Sequence, residues 1–312
     1  MTYHLKLLEA GQWDYDQLKR RSSADYDVWF NPFFMVGIAS LHGLKPLLLH
    51  VYKGGELVAL LPLYERKKLS IKALVCPVGA YYQGLHFFLD DKASPGRTLL
   101  DICAISSEVA IFLAARYPRI NLKLHPENSD VRGFTWNGFR AQPLYTFEHS
   151  TGEPLSIIRD EKAKLAKAEK AGMQLKECFD IESFLRLQHI LEGRKGHNLG
   201  IAAKRMEIFL ESMHKLGLLK QFNVMYDGRV VSSNIVYFDG GARAFAVFMA
   251  SDPEAMKMGA STLHNVAMLS CLPETCLSLD YCGANVPEVA RFKAALGLKL
   301  RVFYSLGKLR GI

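Results

Sequence analysis

Lys293, in the short segment RFKAALG, is a candidate for a direct chemical role. This segment opens residues 291–312, where no acidic residue occurs and the basic residues are Arg291, Lys293, Lys299, Arg301, Lys308 and Arg310. A lysine ammonium can hydrogen-bond a developing oxyanion or hold a phosphate as a point charge. The alternative is a lysine on an amphipathic helix, with its stem on apolar surface and its charge in water. The sequence leaves both alternatives open.

The motifs of several other enzyme classes are absent from the sequence. It contains no HExxH, GxSxG, Walker loop or dinucleotide fingerprint, which argues against hydrolase, kinase and dehydrogenase chemistry. The six cysteines show no CxxC spacing. His264 with Cys271, Cys276 and Cys282 could suggest zinc, but their irregular spacing favours buried thiols in a reducing compartment. We therefore predict no bound metal and a cytoplasmic protein.

Length and composition are those of an ordinary globular protein. The chain has 312 residues, of which 49% are hydrophobic and 22% charged, enough for one large domain or two smaller ones. Glu9 and Asp14 precede any long apolar run, so no signal peptide is predicted. No stretch approaches 18 uninterrupted apolar residues, so no membrane span is predicted either. The net charge of +8 indicates an anionic partner without naming it.

The elements that would position Lys293 are predicted over residues 222–304. Three successive strands are separated by Asp227-Gly228 and by residues 239–241, and a helix, a strand, a second helix and a last strand follow. Asn234 lies in mid-strand among apolar residues, and we interpret it as a substrate contact. Asp280 lies where it can orient a polar partner, and we interpret it as a second catalytic candidate.

This order of motifs resembles the C-terminal half of the Fem-like branch of the GNAT acyltransferases. That branch includes the aminoacyltransferases that build peptidoglycan cross-bridges. The matching residues are Ser251-Asp252-Pro253, Gly259-Ala260-Ser261, Asp280, Phe292-Lys293 and Gly297. The resemblance implies an α/β (α+β) fold with two tandem GNAT-like domains, each a mixed, mostly antiparallel sheet flanked by helices.

The resemblance also implies roles for individual residues. Lys293 would reach the acyl-transfer site, with Phe292 beside the substrate. The strand Ala244–Ala250 would face the acyl group and the pantetheine arm of acyl-CoA, and a helix N-terminus would hold the pyrophosphate. The implied cofactor-binding residues are Phe248, Met249, Gly259, Ala260 and Ser261. Only Gly259 keeps the glycine pattern of a GNAT pyrophosphate loop, so a plain helix N-terminus is an equal alternative.

The first half of the chain predicts a similar arrangement of elements. A short helix is predicted over residues 13–20, a helix opened by Asn31-Pro32, and a hairpin turning at Gly54-Gly55. This hairpin resembles the one at Asp227-Gly228, which favours two domains, residues 1–150 and 151–312, divided in the Ser/Thr/Gly/Pro cluster 149–156. Further candidate substrate-binding residues are Trp29, Tyr81, Tyr82 and Tyr145. Packing in an aromatic core is their alternative fate.

We predict from these features an N-acyltransferase that passes an acyl group from a thioester, most simply acyl-CoA, to an amine. One alternative is an aminoacyl-tRNA-dependent transferase acting on a cell-wall precursor. It is disfavoured because no heptad run corresponds to the long helical arm of the bridge-building enzymes. A GNAT-shaped binding protein without catalysis is the third hypothesis. The expected partner is an anionic small molecule or cell-envelope precursor, with peripheral contact to the inner membrane face and no DNA.

Overall fold

The computed structural model describes residues 2–14, 16, 27–90, 92–196 and 198–309. The chain forms two compact units, one comprising Met1–Leu144 with Val302–Ile312 and the other Tyr145–Arg301. The predicted division into residues 1–150 and 151–312 stays a prediction. These units differ from it because residues 302–309 pack with the first half of the chain. Most of the helix predicted over residues 13–20, and Arg310 of the basic segment, lie outside the described residues.

The first unit contains six complete strands and three α-helices among the described residues. In chain order these are β1 (Tyr3–Glu9), α1 (Pro32–His42), β2 (Lys45–Lys53), β3 (Glu56–Lys68), β4 (Ile71–Val75), β5 (His86–Phe87), α2 (Pro95–Arg116), β6 (Arg119–Lys123) and α3 (Arg132–Thr135). Two longer strands are shared with the second unit. They are β7 (Arg140–Ser150) and β13 (Lys299–Leu309).

The sheet of the first unit is mixed and mostly antiparallel. Strands β1, β2, β3 and β4 pair in sequence order as antiparallel neighbours, and β4 pairs with β6 in parallel. Residues 305–309 of β13 then pair antiparallel with β6. The apolar core between this sheet and α2 includes Leu49, Leu61, Val109 and Leu113, all fully buried.

The second unit repeats this plan with its own elements. In chain order they are α4 (Arg159–Lys170), β8 (Gln174–Glu177), α5 (Ile181–Lys195), α6 (Ala203–Lys215), β9 (Leu219–Tyr226), β10 (Arg229–Tyr237), β11 (Arg243–Ser251), α7 (Pro253–Lys257), α8 (Ala260–Ala267), β12 (Ser278–Asp280) and α9 (Pro287–Ala295). Strands β8 to β11 are antiparallel neighbours and β12 pairs parallel with β11. Residues 148–150 of β7 close the sheet antiparallel to β12.

Each unit thus has four antiparallel strands, a fifth strand parallel to the fourth, and a sixth antiparallel to the fifth. The tandem GNAT-like fold predicted from the sequence is confirmed. The sixth strand of each unit comes from a shared long strand, so a cut at one chain position cannot separate the units. Strand β10 is buried along nearly all its length, which indicates that helices cover both faces of the second sheet.

The local signals that define the elements act as predicted. The Asn31 side chain accepts hydrogen bonds from the N–H groups of Phe33 and Phe34, and Pro32 fills the first position of α1. Asp252 caps α7 in the same way, with Pro253 following. Both hairpin turns contain left-handed residues, as two-residue turns of this type require.

Helix α2 is long and apolar enough to cross a membrane if only its length and composition are considered. One face, which includes Ile105, Val109 and Leu113, is buried in the core of the first unit. The opposite face, with Leu100 and Ile111, is exposed.

Candidate functional site

The candidate site of the second unit begins where two parallel strands separate. The pairing of β12 with β11 ends at Asp280, which lies opposite Phe245, whereas β11 continues to Ser251. On its other edge β11 has a bulge, because Ile235 pairs with Phe248 and Val236 with Ala246, leaving Val247 as the extra residue. Bulges bend a strand and occur often beside active sites. On the edge of β11 that faces β12, the main-chain groups beyond Phe245 therefore have no strand partner among the described residues.

Lys293 lies beside this opening, in the last turn of α9. Its side chain is buried, and the ammonium donates hydrogen bonds to the carbonyl oxygens of Tyr281 (2.6 Å), Cys282 and Gly283 (3.0 Å). Burial lowers the pKa of Lys293 to about 8, although Cys282 and Asp280 act in the opposite direction. The ammonium holds together the three residues that follow β12. Its predicted contact with an acyl group stays a prediction.

Asp280 fixes the same three-residue segment from its other side. One carboxylate oxygen accepts hydrogen bonds from the Thr146 hydroxyl (2.5 Å) and from the N–H of Cys282 (2.7 Å). Cys282 has φ of +45°, a left-handed conformation that costs energy in a residue other than glycine. Asp280 and Lys293 together hold this turn in place. The role for Asp280 that this geometry supports is to position the turn.

A polar network continues from this turn to the start of α8. The Tyr281 hydroxyl donates to the carbonyl of Asn265 (3.0 Å), whose side-chain amide donates to the carbonyl of Ser261 (2.7 Å). The Ser261 hydroxyl donates to that of Ser251 (3.2 Å), which is 2.7 Å from the hydroxyl of Ser232. A series of hydrogen bonds therefore links the β12 turn, α8, β11 and β10.

The network ends at a fully buried histidine. Nδ1 of His264 lies 2.7 Å from the Ser232 hydroxyl, and Nε2 meets no hydrogen-bond partner among the described residues. Burial lowers the pKa of His264 to about 3. The ring is therefore neutral at pH 7. It can orient the serine hydroxyls, but its basicity is too low for a general base at that pH.

Of the predicted contact residues, Met249 joins this network directly. The Asn234 amide is buried, donates to the sulfur of Met268 (3.7 Å), and has an Oδ1 without a partner in the described part of the chain. The Met249 sulfur accepts a hydrogen bond from the Asn265 amide (3.4 Å). Phe248 packs near the rings of Phe184 and Tyr237. Phe292 is half-buried against the apolar core of the second unit.

The turn at residues 259–261 is covered by α4. Gly259 has φ of +96°, and a Cβ atom there would lie 2.1 Å from the carbonyl oxygen of Lys164. Ala260 is fully buried, and the Thr262 hydroxyl in the first turn of α8 donates to the Glu161 carboxylate (2.6 Å). A carboxylate, itself paired with the Lys164 ammonium (2.5 Å), thus lies beside the first turn of α8, where its charge opposes a second anion. The binding of acyl-CoA by residues 259–261 stays a prediction.

The remaining predicted substrate residues are Trp29, Tyr81 and Tyr82 in the first unit and Tyr145 in the second. Trp29 and Tyr82 are buried in the first unit with ring centroids 5.9 Å apart, and Tyr81 stacks edge-on against Tyr82 at 5.0 Å. This is the arrangement of an aromatic core. Tyr145, in the second unit, is partly exposed, and its backbone N–H and C=O pair with the side chain of Asn285. The Tyr145 carbonyl also accepts a hydrogen bond from the N–H of Ala284 (3.1 Å), the residue after the turn that Lys293 holds. The substrate contacts predicted for these four residues stay predictions.

Metal binding finds no support among the described residues, which contain no group of three or more His, Cys, Asp or Glu side chains placed to hold an ion. Of the four residues considered for zinc, His264 is engaged with Ser232, and Cys271 lies exposed at the surface. The described cysteines form no disulfide.

Sequence reasoning named Ser251, Ser261 and His264 for other reasons and did not select Ser232, Asn265 and Tyr281, which complete the network. These three residues look unremarkable one by one. A usable signal was present in Ser232-Ser233-Asn234, three consecutive polar residues inside a strand of otherwise apolar character. Buried polar side chains need partners, so such a run indicates a polar interior.

Comparisons with known proteins show the fold. No family model and no curated protein matches the sequence. FemX matches with a TM-score of 0.68 at 15% identity, covering 97% of both chains. L-PGS from Bacillus licheniformis matches with a TM-score of 0.58 at 12% identity, covering 96% of this chain and 93% of the other. A tandem GNAT protein from the clavulanic acid biosynthesis pathway gives 0.52 at 13% identity, covering 100% and 99%. This chain therefore has the tandem GNAT fold that these structures share.

Proposed function

We propose that the chain is an N-acyltransferase that uses the separated strands of its second unit. The observation that carries the proposal is the free edge of β11 beyond Phe245, bent by the bulge at Val247. Main-chain N–H groups on such an edge can bind the carbonyl oxygen of an acyl group and stabilise the charge that develops on it. The fold shared with FemX and L-PGS supports this use of the edge.

The reaction is a nucleophilic acyl substitution. The nitrogen of an uncharged amine attacks the carbonyl carbon, a C–N bond forms, and the bond from carbon to the oxygen or sulfur of the carrier breaks. The carrier leaves as an alcohol or thiol after it takes up the proton that the amine releases. The protein contributes position and a preorganised polar environment. Lys293 and Asp280 maintain that environment by holding the turn after β12.

For the donor, the packing of α4 favours an aminoacyl ester, such as aminoacyl-tRNA, over acyl-CoA. The Glu161 carboxylate and the Lys164 carbonyl occupy the surroundings of the helix N-terminus that would bind a pyrophosphate. Acyl-CoA, the donor first expected, stays as the second candidate and would need its pyrophosphate bound elsewhere. One observation counts against a tRNA-borne donor. Helices α5 and α6 are joined by residues 196–202, so this connection holds no long helical arm of the kind that the bridge-building enzymes carry.

The proposed acceptor is an amine-bearing cell-envelope precursor, and the proposed compartment is the cytoplasm. The net charge of +8 supports an anionic acceptor, because many envelope precursors carry phosphate. The irregular cysteine spacing supports a reducing compartment.

A donor comparison with labelled acyl groups tests the proposal. The purified chain is incubated in parallel with a mixed pool of radiolabelled aminoacyl-tRNA and with radiolabelled acetyl-CoA, each with amine-bearing cell-wall precursors. We expect label to enter the precursor fraction from aminoacyl-tRNA, and none with heat-denatured protein. Transfer from acetyl-CoA alone would overturn the donor assignment. Transfer from neither donor to any amine would overturn the acyltransferase proposal.

A further inference from the structure

The end of the β3–β4 hairpin in the first unit carries a charged and apolar surface that the proposed reaction does not use. We call residues 66–72 the basic tip. They are Arg66, Lys67, Lys68, Leu69, Ser70, Ile71 and Lys72, and all are exposed. The tip contains four basic residues and no acidic one. Leu69 is 89% exposed and Ile71 is 62% exposed.

The same end of the sheet extends this surface across two more strands. Arg66 pairs with Ala73, Ala73 with Arg119 of β6, and Arg119 with Leu309 of β13. Arg119 is exposed, and Leu309 is 61% exposed. The neighbouring Glu65 is buried, accepts a hydrogen bond from the Tyr117 hydroxyl (3.0 Å) and forms an ion pair with Lys72 (3.3 Å). It therefore balances Lys72 alone among the cations of the tip. Aliphatic and cationic side chains are therefore interleaved over the ends of four strands.

The conformation of the tip is costly for the fold. Leu69 has φ of +56° at the first position of a two-residue turn, where glycine is preferred. Lys67 lies directly opposite Lys72, and the ion pair of Lys72 with Glu65 (3.3 Å) reduces the repulsion between the two lysines. The left-handed turn is not repaid by burial, since Leu69 is 89% exposed and contributes nothing to the core. A position that suits glycine thus holds a large aliphatic side chain in water, which is the arrangement expected of a contact surface.

We propose that the basic tip docks the protein on an anionic lipid bilayer. Leu69 and Ile71 would enter the boundary between headgroups and acyl chains, and Arg66, Lys67 and Lys68 would lie among the phosphates. Cations near an anionic membrane surface are attracted to it, and each buried aliphatic group adds to the affinity. A nucleic acid backbone would satisfy the cations, but it offers no apolar layer for two projecting aliphatic side chains. The combination therefore favours lipid.

The proposal is independent of the acyl-transfer reaction and is tested by vesicle co-sedimentation. The full chain is mixed with vesicles of phosphatidylglycerol and phosphatidylcholine, or of phosphatidylcholine alone. We expect binding to the anionic vesicles that weakens with added salt, and none to the neutral ones. Absence of sedimentation with the anionic vesicles would overturn the proposal.

Two variants separate the apolar and charged contributions. Leu69→Gly suits the left-handed turn, so its melting temperature should equal or exceed that of the wild type while vesicle binding falls roughly tenfold. Lys67→Gln with Lys68→Gln should weaken binding roughly thirtyfold. Leu277→Ser, at an exposed leucine of the second unit, and Lys162→Gln with Lys170→Gln, at two exposed lysines of α4, are the matched controls and should bind like wild type.

Two outcomes of these variants would contradict the proposal. Unchanged vesicle binding by Leu69→Gly would show that no side chain enters the bilayer. Binding of unacylated tRNA that is lost in the double lysine variant and kept in Leu69→Gly, without vesicle binding by the wild type, would assign the tip to nucleic acid.

Discussion

Lys293 is a buried cation whose hydrogen bonds go to three consecutive carbonyl groups of its own chain. The sequence placed it correctly in an amphipathic helix next to a basic segment, and left open whether its charge meets a ligand or water. The structure shows a third arrangement, in which the ammonium binds the turn after β12. Such a contact joins residues twelve or fewer positions apart through a fold-dependent turn, and no local pattern predicts it.

Replacing Lys293 should therefore affect stability first. Lys293→Met would leave the carbonyls of residues 281–283 without their donor, at a cost of roughly 2–4 kcal/mol. Thermal unfolding followed by circular dichroism checks this, with Lys299→Met, at an exposed lysine of β13, as the control. An unchanged melting temperature for Lys293→Met would show that the turn does not depend on the ammonium.

His264 gives the second unit a predicted dependence on pH. Its pKa is about 3 in the folded chain and about 6.5 when unfolded, so the unfolded state binds more protons between these values. The contribution to stability is complete above pH 6.5 and is lost as the pH falls toward 3. The loss should reach about 2 kcal/mol at pH 5.

Urea unfolding at pH 7 and pH 5 measures this contribution when the wild type is compared with His264→Gln. Other groups titrate in both proteins, so the informative quantity is the difference between their pH dependences. We expect the variant to lose about 2 kcal/mol less than the wild type over this interval. Equal losses in the two proteins would mean that His264 titrates normally in the folded state.

At the scale of elements, the sequence predicted well those features that depend on neighbouring residues. The Asn31-Pro32 start of α1 and the glycine turns of both hairpins depend on local backbone preferences. The resemblance placed the helix start at residues 259–261 equally well. Whether this helix start is open to a ligand could not be predicted, because the helix that covers it, α4, lies about a hundred residues earlier in the chain.

The contact between α4 and α8 makes a strong prediction for Gly259. Gly259→Ala would need both a left-handed alanine and displacement of the Lys164 carbonyl, at a cost of roughly 2–5 kcal/mol. Gly172→Ala, also at positive φ but with open space around it, should cost only about 1 kcal/mol and serves as the comparison. Chemical unfolding of the two variants checks this. Equal costs would show that α4 does not pack closely on the turn.

For the whole molecule, the tandem architecture was implied by the resemblance to the Fem-like branch, and the chain length and the two similar hairpins agreed with it. The exact composition of each unit could not. The long strands β7 and β13 each contribute to both units, and their pairing partners are set by the completed sheets. Strand pairing over such sequence distances leaves no signal in the local pattern of apolar residues.

The site shows the same division between local and distant information. Motif order led to Asp280, Phe292 and Lys293, which lie near the opening of β11. The aromatic residues Trp29 and Tyr82 were chosen by residue type, and the structure places them in a core where that type is common. Residue type alone therefore cannot distinguish an aromatic residue of a binding site from one of the core. An ordered set of motifs, in contrast, points to one region of the fold.

The most direct test of the acyl-transfer account is the rate at which Met249→Trp transfers labelled aminoacyl groups, relative to the wild type. Met249 is partly exposed on β11 beyond its pairing with β12, so an indole there should fill the place of the acyl group. Ile208→Trp, at an exposed position of α6, is the matched control. We predict transfer by the wild type and the control, and a loss of roughly a hundredfold or more in Met249→Trp at an unchanged melting temperature. Equal rates for all three proteins, or no transfer by the wild type, would contradict the account.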